Sequence, residues 1–164
     1  MKSTLIILRG NSASGKTTIA KKLQEYFGQG TLLVSQDVVR REMLKVHDTI
    51  GNLSHDLIRQ ITEYGNGKCG FVILEGILSN RKYGDMLREL ADYFDGNAYA
   101  YYFDLSLEET IRRHNSRDKR NEFGEDLLRQ WYTPHDIIKV KRERIFTDDM
   151  TQKEIFNTIL NDVK

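Results

Sequence analysis

TLIILRGNSASGKTT, residues Thr4–Thr18, sets an apolar run directly against two glycines, a lysine and two threonines. Within it, Gly10-x-x-x-x-Gly15-Lys16-Thr17 has the full Walker A spacing. The chemistry needs that spacing. Glycines let the backbone wrap so that successive N–H groups point inward at phosphate oxygens. A helix opening near Gly15 adds its positive end. Lys16 can bridge the β- and γ-phosphates, and the Thr17 hydroxyl can ligate magnesium. The expected nucleotide-binding set is therefore Gly10, Asn11, Ser12, Ala13, Ser14, Gly15, Lys16, Thr17 and Thr18. The motif requires a strand before it and a helix after it, and the apolar patterning supplies both.

Outward from this point, apolar runs alternate with helical periodicity. Strands are expected at 3–9, 31–36, 70–76, 97–105 and, from a weaker run, 142–148. The first and third are almost unbroken apolar runs, as in parallel strands covered on both faces. Helices are expected over Thr17–Phe27, Leu53–Tyr64 and Lys82–Phe94, the first two closed by glycines. Ser106–Glu109 and Thr151–Glu154 both have the capping-box spacing. Strands alternating with helices imply right-handed crossovers and a parallel sheet, an α/β fold. Pro134 marks a turn.

The 164 residues suit one domain spanning 1–164, with a core of its own. Charged residues make up 30%, and the net charge is +1. That balance gives no reason to expect a nucleic-acid or membrane partner. The lone cysteine, Cys69, precedes an apolar run and reads as a small hydrophobe. "LIIL" is too short for a signal peptide, and no run reaches membrane-span length. A cytoplasmic enzyme is expected, as a monomer or a homodimer.

A phosphate loop alone is compatible with a switch, a motor or a kinase. A switch GTPase would carry Asn-Lys-x-Asp, which is absent, and Asp48-Thr-Ile-Gly51 lacks the strand that should precede Asp-x-x-Gly. A mechanical ATPase usually needs more chain than this. Three features favour a small kinase. Asp37 follows the second strand, where strand carboxyl ends face the phosphate site. It can accept the proton of an attacking hydroxyl, or serve as a helix N-cap. Arg40, one turn on, can orient an acceptor or a phosphoryl group, or lie on the surface. Glu75 ends the third strand. It can contact magnesium through a water, bind the acceptor, or simply be solvated. Arg113 and Arg117, four apart after the fourth strand, can face developing phosphoryl charge or form a solvated face. His114 reads as a packing or surface residue. Residues Lys45–Ile61 and 77–85 follow strand ends and should shape an acceptor pocket, with His47, His55, Arg81 and Tyr83 as candidates. Trp131 and Tyr132 read as lid packing.

"GNSASGKTT", "SQDVVRR", "VILEG", "FDLSLEETIRRHNSR" and "EDLLRQWY" together resemble the small phosphate-loop kinases. That group includes gluconate kinases, chloramphenicol phosphotransferases, zeta-toxin kinases and polynucleotide 5′-kinases. "VILEGIL" is also similar to uridine kinases. The resemblance covers most of the chain. It implies a five-stranded parallel sheet of order 2-3-1-4-5 flanked by helices, with a small helical lid at about 115–134. It implies ATP and Mg2+ as cosubstrate and cofactor, and a small-molecule hydroxyl as acceptor. Asp37 would be the general base, and the lid arginines would fall among Arg113, Arg117 and Arg120. Adenine would lie near Arg113 and residues 148–151. A polynucleotide 5′-kinase-like enzyme is the alternative within this group. A nucleotide-binding regulatory module with little transfer activity is the alternative outside it.

Overall fold

The computed structural model describes residues 1–116 and 124–164. Five strands form one parallel sheet: β1 (Thr4–Gly10), β2 (Leu32–Ser35), β3 (Phe71–Gly76), β4 (Ala98–Phe103) and β5 (Glu143–Phe146). Their order across the sheet is β2-β3-β1-β4-β5, as the resemblance implies. Among the described residues, six helices surround it: α1 (Lys16–Phe27), α2 (Leu53–Gly65), α3 (Asn80–Tyr93), α4 (Leu107–Asn115), α5 (Glu125–Trp131) and α6 (Gln152–Asp162). A π-helical segment, Val38–Leu44, follows β2, where a helix capped by Asp37 is one of the expected alternatives.

β1 is buried along its whole length because it lies between β3 and β4 with helices on both faces. Alternation along the strand divides it between two cores. Leu5 and Ile7 pack with Ile58, Leu87 and Leu90 of α2 and α3. Ile6 and Leu8 pack with Ile19, Leu23, Ile155 and Ile159 of α1 and α6. Each such side chain stabilises by about 1.5–3 kcal/mol when fully buried.

α2 approaches the sheet through Gly65. A Cβ added there would stand 2.5 Å from Val72 Cγ2 and 2.9 Å from Leu32 Cδ2. Gly65→Ala is therefore expected to destabilise by about 1–3 kcal/mol through overpacking. Thermal unfolding checks this, and an unchanged Tm would contradict it.

The two expected capping boxes have different fates. Thr151 and Glu154 form a complete one at the start of α6. Ser106 does accept from the Glu109 N–H at the start of α4, at 3.2 Å. Glu109 does not reach back, however. Its carboxylate is taken by Arg112 and Arg113, and the Ser106 N–H donates to Asp148 instead. Charged partners one turn along the helix outcompete a neutral backbone N–H for the carboxylate.

Candidate active site

The loop between β1 and α1 has the conformation its glycines predict. Gly15 sits at the start of α1 with φ +92°. A Cβ on Gly10 would lie 2.9 Å from the Phe103 backbone, so β4 leaves no room for one. Ala13 adopts φ +65°, a conformation that a non-glycine residue holds only when its surroundings enforce it. The Lys16 ammonium donates to the Asn11 carbonyl at 3.0 Å and so curls over the loop. Thr17 Oγ1 donates to Glu75 Oε2 at 3.1 Å. Glu75 is only 4% exposed, so it is no solvated strand end. The hydroxyl and carboxylate converge beside the loop. That pair suits magnesium, which takes one or two protein oxygens and fills its shell with phosphate oxygens and waters. Among the described residues, no group of three or more His, Cys, Asp or Glu side chains could hold a metal.

Asp37 is 52% exposed and makes no capping bond to the π-helical segment. It lines one depression, about 440 Å3, together with Thr17 and Glu75. Arg40 Nη2 lies 3.9 Å from Asp37 Oδ1, and Arg41 Nε lies 3.7 Å from it. The sequence reading named Arg40 alone. The wider π-helical turn adds Arg41, four residues on. Arg40 Nη1 also donates to the Val46 carbonyl at 3.0 Å.

Arg113 reaches the phosphate loop from α4. Its Nη1 donates to the Ser14 carbonyl at 3.1 Å while its Nε binds Glu109 at 2.8 Å. The arginines hold the Glu109 carboxyl down at about 2, with the Arg112 hydrogen bond the larger cause and Arg113 next. A depressed folded value means a contribution fully present above the ordinary carboxylate range and lost progressively as pH falls from that range through about 2. The brace on Arg113 thus survives mild acid. Gln152 Nε2 and Arg113 Nη1 both stand 3.7 Å from the Cβ position of Gly15. This places the start of α6, next to the expected adenine segment, beside Arg113. Arg117 and Arg120 lie outside the described residues, as does part of the expected lid. His114 is buried on α4.

A second cavity of about 670 Å3 opens between the π-helical segment, the amino end of α3 and the α5 end. His47 and Arg81 line it. His55 and Tyr83 do not. Tyr83 is buried, donates to Asp48 at 2.8 Å and stacks on His55, so the two brace the wall from behind. Trp131, the last residue of α5 and within the expected lid, lines this cavity as well. The Tyr132 hydroxyl donates to the Leu105 carbonyl at 2.7 Å and ties the α5 end to the base of α4.

Two residues that matter, Arg9 and Gln36, were missed, and Asn11, expected only in the nucleotide-binding set, has a further structural role. Arg9, 1% exposed, pairs with Asp136 at 2.9 Å and donates to the Leu78 and Asp136 carbonyls. Burial lowers its pKa, and Asp136 and Glu143 oppose that shift. Asn11 exchanges two hydrogen bonds with the Thr133 backbone, at 2.7 and 2.8 Å. Gln36 accepts from the Leu78 N–H at 2.9 Å, joining the ends of β2 and β3. An arginine closing an otherwise apolar central strand was the one signal available for the first of these.

Residues 5–132 match a protein family described as AAA domain. No curated protein matches the chain in sequence. Several solved structures share its fold. The gluconokinase from Sinorhizobium meliloti is 16% identical, with a TM-score of 0.66, over 99% of this chain and 92% of its own. The Mycobacterium tuberculosis APS kinase CysC, in complex with AMPPNP and APS, is 15% identical with a TM-score of 0.68, over 98% and 96%. The Deinococcus radiodurans tunicamycin resistance protein is 13% identical with a TM-score of 0.62, over 98% and 95%. Among the described residues, no helix is long and apolar enough to cross a membrane.

Proposed function

Because the chain belongs to the AAA domain family that matches it from residue 5 to residue 132, we propose that it is an ATP- and magnesium-dependent kinase of the cytoplasm. It transfers the γ-phosphoryl group to a hydroxyl of a small molecule. One observation carries this reading: Thr17, Glu75 and Asp37 share a depression, with a positively charged cavity on the other side of Arg40. A donor site and an acceptor site thus meet at a carboxylate.

The roles follow from position. The phosphate loop and Lys16 hold the triphosphate, and Arg113 closes over it from α4. Arg117, four residues on in the sequence, is proposed to join it. Asp37 accepts the hydroxyl proton of the acceptor, and Arg40 and Arg41 keep that carboxylate ionised and oriented. Thr17 and, through a water, Glu75 hold the magnesium ion, which when bound neutralises charge on the phosphates. Movement of the segment around α5 would then exclude water. The kinases among the solved structures of this fold are consistent with the proposal.

The test is phosphoryl transfer from labelled ATP across a panel of hydroxyl compounds. Turnover of an acceptor is expected, with a magnesium requirement that Glu75→Gln raises by about 10–100-fold. Tight ATP binding without turnover of any acceptor would favour the regulatory-module alternative.

A further inference from the structure

The cavity beside Arg40 is charged in a way that its own protein partners do not explain. Arg40, Arg41, Arg81 and Lys82 line it against two acids, Asp48 and Asp136. Both acids are already engaged. Asp48 takes Lys82 at 3.2 Å and the Tyr83 hydroxyl at 2.8 Å. Asp136 takes Arg9 at 2.9 Å and the Asn80 N–H at 2.8 Å. Arg81 has no ion pair among the described residues, and the buried Arg40 Nε and Ser79 Oγ have no hydrogen-bond partner.

The placement of Arg81 and Lys82 sharpens the point. They stand in the first turn of α3, a fourteen-residue helix with no acidic residue in that turn. The positive end of a helix favours anions and disfavours cations. Its N-cap, Ser79, makes no capping bond from its side chain. The Asp136 carboxylate already takes the Asn80 N–H at this helix end and Asp48 already pairs Lys82, which leaves Arg81, beside the unused Ser79 hydroxyl, as the cation there with no ion pair among the described residues.

Resting on the kinase reading above, we propose that the acceptor is an anionic hydroxyl compound. Its carboxylate or phosphate group docks against Arg81, Arg40 and the amino end of α3, and its hydroxyl extends toward Asp37. A cavity of about 670 Å3 has the size of a small-metabolite site.

The test uses the full chain with magnesium and a non-hydrolysable ATP analogue, so that the phosphate loop is filled. Inorganic phosphate, D-glycerate and glycerol are titrated separately while the melting temperature is followed. Phosphate or glycerate should raise it saturably and glycerol should not. The two anion arms distinguish a phosphate ester from a carboxylate. Arg81→Gln should raise the half-maximal anion concentration about tenfold and leave the response to the analogue intact. Equal anion responses in wild type and Arg81→Gln, no response to either anion, or an equal response to glycerol each overturn the inference and leave the kinase reading standing. No response to the analogue itself overturns the kinase reading, and the inference with it.

Discussion

Asp37→Asn should lower kcat by about 10²–10⁴-fold and leave ATP binding close to wild type. The substitution keeps the side-chain shape and removes the group that accepts the proton. Asp37 is held by Arg40 and Arg41 rather than by the phosphate loop, so the donor site should register little of the change. Among the described residues, its close charged partners are Arg40 and Arg41, at 3.9 and 3.7 Å. An uncharged amide would release both guanidinium groups, and KM for an anionic acceptor should fall or stay level rather than rise. The measurement is steady-state turnover with the identified acceptor, alongside titration of a fluorescent ATP analogue. A kcat near wild type would remove Asp37 from the role of base. A loss of ATP affinity equal to the loss of kcat would recast it as part of the donor site.

The second large effect concerns stability. Arg9→Met should destabilise the fold by about 3 kcal/mol, because removing one partner of a buried ion pair strands the other. The guanidinium makes a salt bridge to Asp136 and two further hydrogen bonds to carbonyls, all from a side chain that is 1% exposed. Asp136 lies nearer the surface and can recover some hydration, which holds the cost at the low end of the usual range. For a chain of this length the corresponding fall in Tm is roughly 6–12 °C. Arg9→Met combined with Asp136→Asn should recover part of the loss, since the stranded charge is then gone. A double variant as unstable as the sum of the two single ones would show that the pair is not coupled.

These two residues also mark the boundary of what could be read from the chain alone. Asp37 was accessible because it has a local signature: a carboxylate placed directly after an apolar run, at the end of a strand that must face the phosphates. The Walker A spacing was accessible for the same reason, since strand, loop and helix are contiguous. Arg9 was visible as a charge in an apolar strand, but its partner is 127 residues away. The cavity beyond Arg40 shows the same limit. Its walls come from the π-helical segment, α3 and the segment around α5, and only side-chain geometry separates Arg81, which lines it, from Tyr83, which braces it.

The Glu109 outcome makes the point at close range. Spacing alone placed it in a capping box, yet two arginines on the same helix claimed the carboxylate. Periodicity reports which residues share a face. It does not report which of several partners on that face wins, because that depends on distances and charge.

The contiguous motif and the alternation of apolar strands with helices determined the parallel α/β architecture and the place where phosphate is held. Both are local, because backbone N–H groups and apolar faces are set by neighbours in sequence. Tertiary structure decided the rest: that Glu75 meets Thr17, that Arg113 reaches Ser14 from 99 residues away, and that Arg40, Arg41, Arg81 and Lys82 gather around one cavity. Electrostatic interaction falls with distance in space rather than along the chain, so the charge of that cavity exists only once the chain has folded.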